Sequence, residues 1–256
     1  MQRVDHHGRE TAYRVSDRGG GGPGLLCVHG SGGAAGVWKA QSRLADRTPV
    51  AALDLSGHGA SDDVEAAAGP EALEAYADDL VAVARETGAR VLVGNSLGGA
   101  VALWVALERD LPLSGLVLAG TGARLAVLDD LLGWLADDFD RAVEFLHAPD
   151  RLFHDPDGPY ADASAAAMRE TGRAVTERDF QTCHSFDVRD RLGEVDVPAV
   201  AVVGAHDQLT PRHYHDYFAD EMPDCEVRVV DDAAHLTMLE RPDAFNAAVE
   251  SLLDRL

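Results

Sequence analysis

Short apolar runs separated by longer stretches of helical periodicity run through the chain. Leu-Leu-Cys-Val at 25–28, Val-Leu-Val at 91–93 and Ala-Val-Ala-Val-Val at 199–203 are too short for buried helices and read as strands covered on both faces. Further strands are predicted around Val4 and over 13–15, 50–53, 115–118 and 226–230. Between them, apolar residues recur at three- and four-residue spacing over 37–45, 70–85, 97–109, 211–219 and 242–256, the signature of amphipathic helices. Strand and helix alternate, which predicts a parallel sheet with helical crossovers.

After residue 118 the alternation stops. From about 122 to 191 the chain reads as helical, with Leu125, Leu128, Leu131, Leu132 and Leu135 at helix spacing and Pro149, Pro156 and Pro159 as breakers. An all-helical insertion of this kind belongs over the carboxyl ends of the strands, where open parallel sheets hold their ligands. The expected architecture is therefore an α/β, mostly parallel, doubly wound sheet whose core is formed by 1–121 and 192–256, with a helical lid over 122–191. The glycine run 19–24 lacks the Lys and Ser/Thr of a phosphate cradle and precedes a strand, so it reads as a hairpin tip.

Gly94-Asn95-Ser96-Leu97-Gly98 fits the pattern G-x-S-x-G, a weak signal by itself in a chain with 25 glycines. The strand before it and the helix after it sharpen the signal, because together they put Ser96 on a tight strand-to-helix turn with its hydroxyl projecting. A side chain at Gly94 or Gly98 would collide with a neighbouring element at such a turn. A serine hydroxyl is nearly inert at neutral pH and needs a base, itself held by an acid. Asp207 follows the strand at 199–203 and His235 the strand at 226–230, so both lie at strand carboxyl ends on the same sheet edge as Ser96. The oxyanion of a tetrahedral intermediate needs two N–H donors. Leu97 supplies one, and the loop His29-Gly30-Ser31-Gly32 the other, from Ser31 with Gly32 as the alternative. His29 is assigned to holding that loop in shape.

In this layout the chain resembles the α/β-hydrolase fold family along nearly its whole length. His29-Gly30, Asp54-Leu-Ser-Gly-His-Gly59, Gly94-Asn-Ser-Leu-Gly-Gly99, Gly204-x-x-Asp207 and His235 stand where that family has them. The resemblance implies a serine hydrolase acting on a small carboxylic ester: Ser96 attacks, His235 moves the proton, Asp207 orients it, Ser31 and Leu97 hold the oxyanion, and neither cofactor nor metal is required. It assigns Asp54 and His58 to structure, and Ser96 in place of an aspartate sets the chain apart from epoxide hydrolases and haloalkane dehalogenases. His29-Gly-Ser-Gly32 with Trp38, and Asn95 before the nucleophile, look like the carbon–carbon hydrolases of aromatic ring-cleavage products. Those enzymes usually carry a tryptophan after the catalytic histidine, where Leu236 stands here. A C–C hydrolase, a thioesterase or a lyase on the same triad are the alternatives, and a non-catalytic receptor is the rival from another class.

The remaining candidate chemistry has plainer readings. His213 and His215 point to different faces of a predicted helix and His6-His7 is an isolated pair, so surface histidines are expected and no metal site. Cys27, Cys183 and Cys225 are odd in number and lack a C-x-x-C spacing, so they read as buried reduced thiols. Phe180, Cys183 and Phe186 share a helical face that either packs within the insertion or lines an acyl pocket.

Composition narrows the partners. With 46% hydrophobic and 26% charged residues, the 256-residue chain can bury a core without staples. No apolar run approaches the roughly 20 residues of a membrane span, and the first seven residues lack a signal peptide's apolar core, so a cytoplasmic protein is expected. A net charge of −22, from 22 basic and 44 acidic residues, repels phosphate backbones and anionic lipid, leaving a small molecule as the expected partner and neither nucleic acid nor membrane. The oligomeric state has no signature in the sequence. The acids include 30 Asp, and Lys39 is the one lysine, a balance that resembles the surfaces of salt-accumulating halophiles. GC-rich codon usage accounts for Arg in place of Lys, but not for acids outnumbering bases two to one.

This charge predicts a salt-dependent fold. At about 0.1 M salt the screening length of roughly 10 Å lets surface carboxylates repel one another, and at about 1 M it shrinks to roughly 3 Å. Thermal midpoint and esterase activity are both expected to rise substantially between about 0.1 M and about 2 M potassium chloride. A thermal melt in which the midpoint stays put or falls would leave codon usage as the explanation.

Overall fold

The computed structural model describes residues 1–256. Its strands are β1 (Gln2–His6), β2 (Arg9–Ser16), β3 (Leu25–Val28), β4 (Val50–Leu53), β5 (Val91–Asn95), β6 (Gly115–Ala119), β7 (Ala199–Gly204) and β8 (Cys225–Val230). They form one sheet in the order β1-β2-β4-β3-β5-β6-β7-β8, antiparallel from β1 through β2 to β4 and parallel elsewhere. The order reverses at β3, which lies between β4 and β5. Loops leaving adjacent strands at such a switch point diverge to opposite faces and leave a crevice at the carboxyl ends. Val28 pairs with Gly94 at the end of the β3–β5 ladder, so the loop after β3 and the turn after β5 open side by side.

Helices cover both faces. α1 (Pro70–Thr87) and α2 (Leu97–Glu108) lie on one side, where Tyr76, Leu80 and Val101 pack on Leu26, Leu92 and Leu116. On the other, Trp38, Phe245 and Leu252 pack on Leu25, Val91 and Val117. Consecutive strand residues thus serve opposite cores, which is why these strands read as continuous apolar runs. α1 begins with Pro70 at its first turn and ends at Gly88, whose φ of 69° closes the helix in the left-handed conformation.

The segment expected as a helix over 37–45 is a 3₁₀ helix spanning Ala35–Asp46. Its buried residues Ala35, Trp38, Gln41 and Leu44 recur at every third position, matching the three residues per turn of that helix. Between β6 and β7 lie α3 (Asp129–Asp137), α4 (Phe139–Leu146), α5 (Ala161–Thr171), α6 (Arg173–Ser185) and a second 3₁₀ helix, Arg189–Glu194. Pro149, Pro156 and Pro159 fall in the loop between α4 and α5. Leu125 and Leu128 are not helical: Val188 N–H donates to Ala123 at 2.8 Å and Arg124 bridges Asp187, so this stretch is extended against the returning chain. α6 packs on α1 and α2, which brings the helical segment down onto the sheet's own helices.

α7 (Arg212–Glu221), a one-turn α8 (Thr237–Glu240) and α9 (Pro242–Leu253) complete the fold. No helix is long and apolar enough to cross a membrane.

Gly204 ends β7 where the chain after β8 crosses it. A Cβ there would meet the carbonyl oxygens of Ala234 and Ala233 at 2.1 and 2.3 Å. Gly204→Ala is expected to destabilise the fold by about 1–3 kcal/mol, the usual cost of overpacking. Calorimetry should show a lower thermal midpoint, and an unchanged one would contradict the close approach.

Candidate active site

Ser96 joins β5 to α2 with φ 55° and ψ −119°, a backbone conformation that non-glycine residues rarely adopt and that costs on the order of 1–3 kcal/mol. Its surroundings hold it there. Ser96 N–H donates to Ala119 at 2.9 Å, and the Thr121 hydroxyl donates to the Ser96 carbonyl at 2.9 Å. The turn closes because its flanks lack side chains: a Cβ on Gly94 would lie 2.3 Å from the Gly98 carbonyl, and one on Gly98 would lie 2.3 Å from that of Val28. Across the crevice Gly30 approaches so closely that a Cβ on it would stand 3.1 Å from the Ser96 Cβ.

Asp207 lies just past the end of β7 and His235 in the loop after β8, both buried. His235 Nδ1–H donates to Asp207 Oδ2 at 2.9 Å, which leaves Nε2 as the unprotonated nitrogen. The other carboxylate oxygen accepts the N–H groups of Leu209 and Thr210 at 2.8 and 2.9 Å, and the Thr210 hydroxyl donates to Oδ2 at 2.8 Å. Burial works to raise the Asp207 carboxyl, but the attraction of His235 and these hydrogen bonds outweigh it and hold the group below the usual carboxylate range. Gly120, at φ 50°, lies flat against the ring, where a Cβ would sit 3.0 Å from His235 Nδ1.

The loop after β3 is anchored by a residue that the sequence did not single out. Asp179 of α6, fully buried, accepts the Gly32 N–H at 2.9 Å, the His58 Nε2–H at 2.8 Å and the Tyr76 hydroxyl at 2.6 Å. Burial opposes both charges of the pair, yet their mutual attraction and hydrogen bonding hold Asp179 below and His58 above their ordinary values. His29, 4.7 Å from His58 between ring centroids, is pushed down to about 4 by burial and then by the His58 charge. It is held neutral, taking the Leu55 N–H on Nε2 at 3.1 Å and donating from Nδ1 to the Gly30 carbonyl at 2.8 Å. Gly32 N–H is bonded to Asp179 and Gly33 N–H to Gly30, whereas the Ser31 and Leu97 N–H groups have no acceptor in the protein. Asp54 staples the neighbouring turn, accepting from Ala35 and Ala60 at 2.7 and 3.1 Å.

Ser31, Ser96 and His235 line one cavity of about 570 Å³ with largely apolar walls. Phe180 and Cys183 are among its lining residues, whereas Phe186 packs in the core behind them. Burial pushes the Cys183 thiol up to about 12, which makes it a poor nucleophile. Cys27 is likewise buried, but Cys225 is only half-buried, being on edge strand β8.

One of the two helix histidines expected at the surface is elsewhere. His213 is exposed and borders the cavity, whereas His215 is fully buried, its Nε2 accepting the Thr121 N–H at 3.3 Å and its ring pushed down to about 4 by burial. The physical reason is that α7 packs on β7 and turns His215 toward a main-chain amide at the end of β6 that needs an acceptor. Asp150, His154 and His206 also meet, with polar atoms within 4.8 Å of one another. His154 bonds Asp150 at 2.6 Å and stacks on His206 with centroids 3.7 Å apart.

Residues 25–248 match the profile of a family described as the alpha/beta hydrolase family. The pimeloyl-[acyl-carrier protein] methyl ester esterase of Neisseria meningitidis serogroup A is 30% identical, over 90% of this chain and 78% of its own length. The enzyme of the same name from Pectobacterium atrosepticum is 29% identical over 90% and 94%. Among solved structures, a thermophilic esterase superposes with a TM-score of 0.86 at 31% identity, covering 99% of this chain and 97% of its own.

The buried pair predicts a pH signature. His58, held above its unfolded value, stabilises the fold fully below about pH 6.5, and that contribution is lost as pH rises through its folded pKa. Asp179, held below its unfolded value, contributes above about pH 4 and loses that contribution as pH falls through its folded pKa. Asp179→Asn leaves a buried imidazolium without its counter-charge and is expected to cost about 3–5 kcal/mol. In urea melts the difference from wild type should be widest between about pH 4 and 6.5. A difference independent of pH would refute the charged pair.

Proposed function

The chain belongs to the alpha/beta hydrolase family, and from that premise we propose that it hydrolyses small carboxylic esters through an acyl-enzyme formed on Ser96. The observation that carries this reading is the His235 ring, bonded through Nδ1 to Asp207 at 2.9 Å while lining the cavity into which the Ser96 turn opens. In this reading Ser96 Oγ attacks the ester carbonyl as His235 Nε2 takes its proton, and the alkoxide of the tetrahedral intermediate lies against the Ser31 and Leu97 N–H groups. His235 then returns the proton to the leaving alcohol, and water repeats the sequence on the acyl-enzyme. Asp207 holds the ring in orientation through Nδ1 and stabilises the imidazolium that forms. Residues 122–191 serve as the lid over a core of 1–121 and 192–256, with Phe180 supplying part of the pocket wall.

Esters are favoured over a C–C bond as the substrate because the relatives named above are esterases and Leu236, a cavity-lining residue, is aliphatic. A panel of p-nitrophenyl esters, acyl thioesters and ring-fission dienones separates the chemistries, and a chain-length series on the esters sizes the pocket.

Ser96→Ala and His235→Ala are each expected to lower kcat by about 10⁴ or more with the fold intact, since nucleophile and base act as one unit. Asp207→Asn should be severe but less complete, because the histidine loses its orientation and the nucleophile remains. A fluorophosphonate should label wild type at Ser96 and leave Ser96→Ala unlabelled. Folded Ser96→Ala protein that keeps even about a tenth of the activity rules the mechanism out.

A further inference from the structure

One cation on the cavity wall has no counter-charge. Arg151, in the loop between α4 and α5, lines the cavity together with Phe145 and Gln208, and its guanidinium touches both. Its carbon centre lies 4.3 Å from the centroid of the Phe145 ring, and Nη1 donates to Gln208 Oε1 at 3.3 Å. Nε is buried with no hydrogen-bond partner, and no carboxylate pairs with the group. The neighbouring acid, Asp150, is bonded to His154 at 2.6 Å.

Such an arrangement needs a reason in a chain with 44 acidic and 22 basic residues, where a counter-ion for an arginine is easy to supply. Arg151 is half-buried, but its Nε is shut off from water, and a buried donor left unpaired in a finished fold points to a partner outside the chain. The main chain at Arg151 is fixed from two sides: its N–H donates to Ala148 at 3.2 Å, and its carbonyl accepts the N–H of His235 at 3.2 Å. The side chain is therefore carried by a backbone joined directly to that of His235. The net charge of −22 makes the surrounding field hostile to anions, so a local cation in an apolar cavity is the device that would reverse it.

We propose that Arg151 is a specificity-determining residue that binds a carboxylate carried by the substrate, so that the preferred esters are monoanions such as the half-esters of dicarboxylic acids. This deepens the esterase reading and rests on it. The planar fork of the guanidinium suits a carboxylate, and stacking on Phe145 leaves the edge of the fork free to donate.

Two matched pairs test it. Monomethyl adipate against methyl hexanoate puts the charge on the acyl side, and 4-acetoxybutanoate against butyl acetate puts it on the alcohol side. Wild type is expected to prefer the anion in at least one pair by kcat/KM. In Arg151→Met the anion-to-neutral ratio for that pair should fall by about 10- to 100-fold, with Arg151→Lys between the two. Reading the ratio cancels any general loss from disturbed packing. Neutral esters turned over with no preference for either anion, or a ratio unmoved by Arg151→Met, overturns the proposal and leaves the esterase reading standing. If no ester is turned over, the esterase reading fails. Calorimetric titration of Ser96→Ala with monomethyl adipate and with 4-acetoxybutanoate, with and without Arg151→Met, then decides: binding of either that Arg151→Met abolishes upholds the carboxylate site, and no binding or binding independent of Arg151 sinks it.

Discussion

A serine held on the side of conformational space that glycine normally occupies is the constraint around which the crevice is built. Ser96 stays at φ 55° because three glycines, Gly30, Gly94 and Gly98, let the β3 loop, β5 and α2 come within van der Waals contact of its turn. Thr121 then ties the Ser96 carbonyl to the end of β6. The strain is local, but what holds it comes from three adjacent strands of a sheet buried on both faces. Loss of any of these close approaches would let the turn relax and take the hydroxyl with it.

Two buried acids show how one chemistry is directed to different ends. Asp207 and Asp179 each bond a histidine within 3 Å and each stay ionised against burial by that contact. His235 lines the cavity, whereas His58 is sealed beneath Tyr76 and His29. The first pair can exchange a proton with something outside the protein. The second can only hold its charge, and its effect is to fix the shape of the loop that carries Ser31.

Much of this was legible in the order of residues. The sheet's strands announce themselves because burial on both faces makes them short and continuously apolar, and the Ser96 turn does so because close packing leaves glycine no substitute there. Asp207 and His235 could be placed because each follows a strand. The 3₁₀ helix at Ala35–Asp46 was written in a three-residue spacing that an α-helical reading overlooks. Other residues carried no local mark. Asp179 is one of 30 aspartates, and its partners Gly32, His58 and Tyr76 lie more than a hundred residues away along the chain. Thr121, Gly120 and His215 act on the site through contacts across the sheet edge, which no pattern in sequence encodes.

The bond from Asp179 to Gly32 also bears on how such a protein can be rebuilt. Loops on a parallel sheet invite transplantation, and the helices between β6 and β7 look like a natural cassette for changing what the cavity accepts. They are not one. A foreign segment spliced between Ala119 and Ala199 would deliver new walls and at the same time withdraw the carboxylate that His58, Tyr76 and the Gly32 amide share. A chimera that keeps α6 retains the Asp179 carboxylate and its three partners, so a seam for recombination at Gly172, inside the insertion, spares the loop anchor that a seam at its ends removes.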